Sequence, residues 1–471
     1  MDGRFTLESI GDGGNAHLVG IGGAGMSAIA TVLVEMGYAV EGSDIKESSN
    51  VRRLREMGVV VGIGHRAKNL SDARVVVKSA AIRDDNPELV EAEQKGVPVI
   101  TRAQMLAAIM STRRGIAVAG THGKTTTSSL ATQMLLDCRS NPSYLIGGEL
   151  NEIGGNAHYG DGEYLVAEAD ESDGSLLHLR PEVAVLTNID GDHLDYFESI
   201  ENTAEVFLRF LQLLPPGGFA VVCGDDELAR EVGLEYRREE GRVLFYGRSS
   251  ENEYRFSGEV ISSSGTEYAA WYLDERLGDV VVGIPGLYNA YNSLAALAVG
   301  HQVGLPMDQA IRGLGSFQGV RRRYERIGSC GGVQVIDDYA HHPTEIAAVL
   351  DLAGSVAPGR VVTVFQPHRY TRTRLLADQF GGSFGGADLI VVTDVYGAGE
   401  DPEPGVTGKL VADGIAERYP GKEIVYVPNR GELAAAVASL LDEGDTVITI
   451  GAGDITQCAS EILEILEEKV R

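Results

Sequence analysis

Apolar residues fall along this chain in short unbroken runs that end in glycine or a polar residue, each followed by a longer stretch with helical spacing. The runs include HLVGIGG (17–23), GIAVAG (115–120), EYLVAE (163–168), VAVLTN (183–188), VVTVFQ (361–366), DLIVVTD (388–394) and TVITIGAGD (446–454). A continuous apolar run fits a strand buried on both faces, and strands alternating with helices predict an α/β fold with mainly parallel sheets. Ligands of such sheets gather at the carboxyl ends of the strands. The polar residues that close each run are therefore where chemistry is expected.

Three blocks follow from the pattern. Residues 1–112 open on a glycine-rich turn and end in a helical stretch, AQMLAAIM (103–110); residues 113–318 open on a second such turn; residues 319–471 form a third set of strands and helices. Within the second block, polar and apolar residues alternate over 250–283 around Trp271, which predicts an antiparallel excursion. No repeat of fixed period and no low-complexity tract is visible, which argues against a solenoid.

Composition narrows the classes. With 68 acidic against 40 basic residues the formal net charge is −28, a surface that repels phosphate backbones and anionic lipid. Nucleic-acid and membrane partners are not expected. Cys138, Cys223, Cys330 and Cys458 are widely spaced and form no CxxC pair, as suits buried thiols in a reducing compartment. The first residues lack the basic-then-apolar pattern of a signal peptide, so a cytoplasmic protein is expected.

Two glycine loops carry the first chemistry. Gly20, Gly22 and Gly25 satisfy GxGxxG between an apolar run and a helical one, and Asp44 closes the next strand-like segment. Backbone amides at such a turn approach a diphosphate at a helix N-terminus, with the acid placed for a ribose hydroxyl. The pattern says nucleotide diphosphate without choosing NAD over a UDP-sugar. The second loop, GTHGKTTT (120–127), is a GxxGKT form in which Val118 takes the place of the first glycine of the longer GxxxxGK[ST] loop. Its amides can cradle ATP phosphates, Lys124 can neutralise them, and the Thr125 hydroxyl can bind Mg²⁺. Two phosphate loops imply two phosphorylated ligands, which a plain dehydrogenase does not need.

Further polar groups crowd other strand ends. Glu168, and then Asp190, Asp192, His193 and Asp195, offer ligands for a divalent cation or caps for the following turns. Asn289 and Asn292 open an alanine-rich helix, where they either read an adenine edge or cap the helix. Arg321, Arg322 and Arg323 stand together in an acidic chain, where an arginine from a neighbouring domain would offset phosphoryl charge. Asp338, Tyr339, His341 and His342 share one predicted strand end. His368, Arg369, Arg372 and Arg374 share another, and if helical, Arg369 and Arg372 lie on one face suited to a carboxylate.

In family order over nearly the whole chain, HLVGIGGAGMSAIA, GTHGKTTT, AEADESDGS, TNIDGDHLDYF, PGLYNAYNSLAA, GVRRRYE, DDYAHHPTEI, QPHRYTRT, DVYGAGEDP and GAGD resemble the Mur ligase family. DDYAHHPTEI with QPHRYTRT resembles its alanine-adding branch. The resemblance implies three domains: a Rossmann-like domain for a UDP-sugar, a central P-loop ATPase and a C-terminal Rossmann-like domain. It implies ATP-dependent joining of L-alanine to the carboxylate of UDP-N-acetylmuramate through an acyl phosphate, in peptidoglycan precursor synthesis, with Mg²⁺ (or Mn²⁺). Gly20, Gly22, Gly23, Gly25 and Asp44 would hold the UDP-sugar. Gly120, Thr121, His122, Gly123, Lys124, Thr125 and Thr126 would hold ATP with Asn289, Asn292, Arg322 and Asp338, and Thr125, Glu168 and His193 the metal. Tyr339, His341, Arg369 and Arg372 would handle the substrate carboxylate and the amino acid, with Lys124, His193, Arg322 and His341 acting in catalysis. Tyr288 departs from the family, which has histidine there. The expected assembly is a monomer or homodimer.

Overall fold

The computed structural model describes residues 5–11, 14–151, 155–171, 174–191 and 199–470. By its internal packing the chain divides into two compact units. The first comprises residues 1–260, 267–283 and 288–318, and the second residues 319–471 with the short pieces 261–266 and 284–287.

The first sheet, in the first unit, joins β1 (Asn15–Val19), β2 (Ala39–Asp44), β3 (Val60–Ile63), β4 (Val75–Lys78) and β5 (Val99–Thr101) in the order β3-β2-β1-β4-β5. Every pairing is parallel. The order reverses beside β1, and such a switch point opens a crevice at the carboxyl ends of the strands. Val19 pairs with Ser43 on one side and Lys78 on the other, so the glycine loop after β1 enters that crevice. Leu18, Ile29, Val32 and Val77 lie in the core between this sheet and its helices.

The second sheet takes β6 (Arg114–Ala119), β7 (Ser143–Leu150), β8 (Gly155–His158), β9 (Tyr164–Glu168), β10 (Val183–Leu186), β11 (Phe219–Cys223), β12 (Val243–Gly247), β13 (Tyr254–Ser262), β14 (Gly265–Tyr272) and β15 (Glu275–Val282). Their order is β15-β14-β13-β12-β11-β10-β6-β9-β7-β8. β6 lies between β10 and β9, parallel to both, so three neighbouring carboxyl ends deliver the second glycine loop, Thr187-Asn188 and Glu168 to one edge. β13, β14 and β15 are neighbours joined by two-residue turns, which only antiparallel pairing allows. Trp271 on β14 donates its indole N–H to Ser257 Oγ on β13 at 3.1 Å. The alternation around Trp271 is that of a half-exposed antiparallel ribbon.

The third sheet, in the second unit, orders β16 (Glu325–Cys330), β17 (Val333–Asp338), β18 (Val361–Phe365), β19 (Leu389–Val392), β20 (Glu423–Tyr426) and β21 (Thr446–Ile450) as β16-β17-β21-β18-β19-β20. Only β16 runs antiparallel. Phe365, Phe380 and Phe384 pack on one face, and Val362, Val364, Leu433 and Ile462 on the other. Ile450 of β21 pairs with Asp338 of β17 and Phe365 of β18, which levels three carboxyl ends. All four cysteines are free thiols. Among the described residues no helix is long and apolar enough to cross a membrane.

Candidate active site

At the first glycine loop, Ser43 and Asp44 hold the turn together. The Ser43 carbonyl accepts from Gly20 N at 2.9 Å and Ile21 N at 3.0 Å, and Asp44 Oδ2 accepts from Gly22 N at 2.8 Å. Gly23 caps the helix Ala24–Glu35, and Arg102 lies against Gly25. Arg102 in turn pairs with Asp170 at 3.1 Å, tying this loop to the acidic segment after β9. Asp44 thus already has a structural task, and each of its oxygens retains a second lone pair for a hydroxyl.

The second loop is shaped by steric need. Gly120 has φ +123° and a Cβ there would sit 2.1 Å from Thr187 Oγ1; Gly123 has φ +82° and its Cβ would sit 2.6 Å from Asn292 Oδ1. Backbone also blocks a side chain at Gly120, with Thr187 N 2.9 Å from the Cβ, so only glycine fits there, and the left-handed backbone at Gly123 favours glycine. Thr187 Oγ1 donates to the His122 carbonyl at 2.6 Å, Asn188 Oδ1 accepts from His122 N at 2.8 Å, and His122 Nε2 meets Asp190 Oδ2 at 3.0 Å. The helix Lys124–Asp137 then starts directly from Gly123, leaving its first amides at the loop, as anion binding requires.

Lys124 Nζ donates to the carbonyls of Gly120 at 2.5 Å and Thr121 at 3.0 Å and to Glu171 Oε1 at 2.9 Å. Burial pushes its pKa down, but Glu171, Asp170 and Glu168 outweigh that and hold it above the ordinary value. Glu171 faces the opposite balance, since burial, helped by Asp170, outweighs its single lysine and raises its pKa. On acidification the carboxyl takes up a proton while the ammonium keeps its charge. Among the described residues, Glu171 Oε2 is buried with no hydrogen-bond partner. The sequence reading singled out Glu168 and missed Glu171, although the acid-rich stretch EADE (168–171) carried the signal.

Glu168 Oε1 accepts from Gly147 N at 2.6 Å and Ser128 Oγ at 3.4 Å, and Ser128 Oγ also reaches the Thr125 carbonyl at 3.1 Å. The expected metal ligands Thr125 and Glu168 are thereby linked through one hydroxyl. His193, with Asp192 and Asp195, lies outside the described residues. Asn292 Oδ1 accepts from Thr127 Oγ1 at 3.2 Å, and its amide donates to Asn289 Oδ1 at 3.3 Å. Both asparagines are buried, and Asn292 lies directly behind Gly123.

In the second unit the levelled strand ends gather a cationic and aromatic group. Arg322, at φ +61°, donates from Nη2 to Gly451 O at 2.6 Å and Gly453 O at 3.2 Å, and from Nε to Asp337 Oδ2 at 3.3 Å. Its guanidinium carbon lies 4.8 Å from the centre of the Tyr339 ring, with Arg323 at 5.3 Å. His341 Nδ1 donates to the Tyr339 carbonyl at 3.0 Å, because a carbonyl can only accept; in the neutral ring this makes Nε2 the basic nitrogen. The His341 ring lies 5.8 Å from His368, which stacks on Tyr396 and meets Arg372 Nη1 at 3.4 Å. Burial, with His341, Arg372 and Arg369 nearby, pushes His368 down to about 3, so it stays neutral and accepts from the arginine. Arg369 is exposed at φ +68° and caps the helix Tyr370–Leu375, which carries Arg372.

Asp338 is buried and accepts from Tyr324 N at 2.7 Å and Ala340 N at 2.7 Å, a turn-holding task that spacing did not reveal. Burial raises its pKa from the ordinary 3.8 to about 6. A raised folded-state pKa contributes stability that is complete below about 3.8 and lost as pH rises through about 6. The stability gap between wild type and Asp338→Asn is therefore expected to widen in favour of wild type by about 1 kcal/mol between pH 7 and pH 5, and to keep widening towards the lower value. Urea unfolding at several pH values checks this; a pH-independent gap would refute it.

Comparison with known proteins gives the family. Residues 15–114 match the Mur ligase family catalytic domain, residues 118–300 the Mur ligase middle domain, and residues 322–453 the Mur ligase glutamate ligase domain. The chain is 49% identical to the UDP-N-acetylmuramate–L-alanine ligase of Rubrobacter xylanophilus, over 95% of this chain and 99% of that protein. The chain belongs to the Mur ligase family. The Mur ligase of the same name from Desulforamulus reducens is 45% identical over 96% of this chain and 98% of its own length. Among solved structures, the UDP-N-acetylmuramate–alanine ligase of Thermotoga maritima superposes with a TM-score of 0.83 at 29% identity, covering 97% of this chain and 99% of that one. In this Mur ligase the strand-end loops described above fall within the three matched family segments.

Proposed function

We propose that this Mur ligase joins L-alanine to the carboxylate of UDP-N-acetylmuramate with hydrolysis of ATP to ADP and phosphate. The observation that carries the reading is near-full-length identity to relatives bearing that name, in a chain whose phosphate loop has the Lys124–Glu171 geometry above. Domain boundaries near 112/113 and 318/319 go with it.

A carboxylate is a poor electrophile, so an oxygen of the sugar carboxylate first attacks the γ-phosphorus of ATP, giving an acyl phosphate and ADP. The loop amides from Gly120 to Thr125 hold the phosphates, and Lys124 leaves its carbonyl contacts to follow the charge. Mg²⁺, when bound, would neutralise phosphate charge, and the Thr125 hydroxyl and Glu168 carboxylate are hard oxygen donors that would hold it. The alanine amine then attacks the acyl carbon and phosphate leaves. The amine proton goes to Nε2 of His341, whose Nδ1 faces the Tyr339 carbonyl, or to substrate phosphate, and Arg369 and Arg372 supply positive charge for the alanine carboxylate. Gly20, Gly22, Gly23, Gly25 and Asp44 bind the UDP-sugar.

The test is ADP release from purified protein with ATP, Mg²⁺ and UDP-N-acetylmuramate, offering each amino acid and a cell-wall tripeptide in turn. The expected outcome is release that needs L-alanine, a matching mass gain on the sugar nucleotide, and loss of both on chelation with recovery on added Mg²⁺. Release with tripeptide alone, or with no acceptor that forms an amide, overturns the reading.

A further inference from the structure

Beneath the first glycine loop lies a buried hydrogen-bond network that none of the steps above uses. Its centre is Glu88, on the first turn of the helix Pro87–Lys95, with no exposed surface. Oε2 faces His17 Nε2 at 2.9 Å and Ser43 Oγ at 2.6 Å, while Oε1 accepts from Arg66 N at 3.0 Å and Asn69 Nδ2 at 2.6 Å. Four donors on one carboxyl group favour the ionised form. The counter-charge is His17, whose other nitrogen faces Glu41 Oε1 at 3.2 Å. A neutral ring donates from one nitrogen only, so a ring between two carboxylates is an imidazolium. Burial works against charge on His17, but the two carboxylates outweigh it and raise its pKa.

The direction of the remaining bonds then follows. An ionised Glu88 only accepts, so the Ser43 hydroxyl hydrogen points to it. The Ser43 oxygen is left to receive the contact from His65 Nδ1 at 2.9 Å, which fixes the proton on Nδ1. In the neutral ring Nε2 is then an acceptor. The same Ser43 holds Gly20 and Ile21 through its carbonyl, and Gly64, next to His65, donates its amide to the Asp44 carbonyl at 2.7 Å. His65 therefore stands at the carboxyl edge of the first sheet, beside the glycine loop. His17, Ser43 and Glu88 have no exposed surface, whereas the His65 side chain is 15% exposed.

We propose that Glu88 and Ser43 are positioning residues for the nucleotide end of the sugar substrate: they hold His65 with Nδ1 protonated, so that its Nε2 accepts a hydrogen bond from an N–H or O–H of the nucleoside. This rests on the UDP-sugar reading of the first glycine loop. It gives a buried ionic cluster a task, where an apolar core of the same volume would be at least as stable.

The experiment is calorimetric titration of UDP into the full chain: wild type, His65→Ala, Ser43→Ala and the double variant, each first checked for an unchanged melting temperature. His65→Ala and Ser43→Ala should each weaken UDP by about tenfold, the double variant no more than His65→Ala, and none should change ATP affinity. UDP analogues methylated at the uracil imide, or lacking one ribose hydroxyl, identify the donor as the one whose binding no longer responds to His65→Ala. Equal UDP affinity in wild type and His65→Ala, or penalties that add in the double variant, overturns the inference alone. If Ser43→Ala does not fold, His65→Ala, at a partly exposed position, still decides. Wild type without measurable UDP affinity sinks the UDP-sugar reading, and the inference with it.

Discussion

Lys124→Ala is expected to lower ATP-dependent ligation on the order of 10³-fold and to destabilise the first unit at the same time. The first effect is electrostatic: the ammonium is the charge the loop brings to the transferring phosphoryl group, and its removal cannot be made up by amides alone. The second follows from the resting position of the side chain. Lys124 Nζ lies 2.9 Å from Glu171 Oε1, and the Glu171 side chain is 3% exposed. Removing one partner of a buried pair leaves an uncompensated charge, at a cost of about 3–5 kcal/mol. The two effects separate in the double variant Lys124→Ala/Glu171→Gln, where the stranded carboxylate is gone. Its unfolding midpoint should return most of the way to wild type while its activity stays lost. Guanidinium unfolding with a coupled ADP assay reads both. Full ligation by Lys124→Ala would refute the catalytic assignment, and an unchanged midpoint would refute the coupling to Glu171.

That coupling marks the limit of what the chain alone disclosed. The strands were legible because runs such as HLV and VVTVF are buried on both faces, and burial writes itself into sequence as unbroken apolar stretches. The glycine loops were legible because a Cβ at Gly120 collides with Thr187, so only one residue type serves. Partners across the sheet were not legible. Lys124 and Glu171 are 47 positions apart, and Thr127 and Asn292 are 165 apart; strand order, not spacing, brings them together. Nor does sequence distinguish an aspartate that faces a ligand from one that holds a turn. Asp338 has both oxygens on backbone amides, and so does Asp44, on Gly22 and Lys46.

Arg322 poses the same question most sharply. Its guanidinium grips the carbonyls of Gly451 and Gly453 and Nε reaches Asp337, which has no exposed surface and otherwise accepts from the hydroxyls of Thr449 at 2.5 Å and Thr456 at 2.7 Å. Arg322→Ala should therefore destabilise the second unit by about 3 kcal/mol, since Asp337 loses the cation that offsets its burial. Arg322→Lys keeps the charge but not the fork, and one ammonium cannot serve the two carbonyls and Asp337 with the same geometry, so about 1–2 kcal/mol should still be lost. The φ of +61° is unfavourable in either variant, so neither gains from relief of strain. Hydrogen exchange is the measurement that assigns the loss, because faster exchange at 451–456 and at the end of β17 would place it where the fork is missing. Activity should fall with both variants, and more in Arg322→Ala. Wild-type exchange and stability in Arg322→Ala, with activity gone, would mean that the arginine acts on substrate alone. The carbonyl contacts would then carry no weight in the fold.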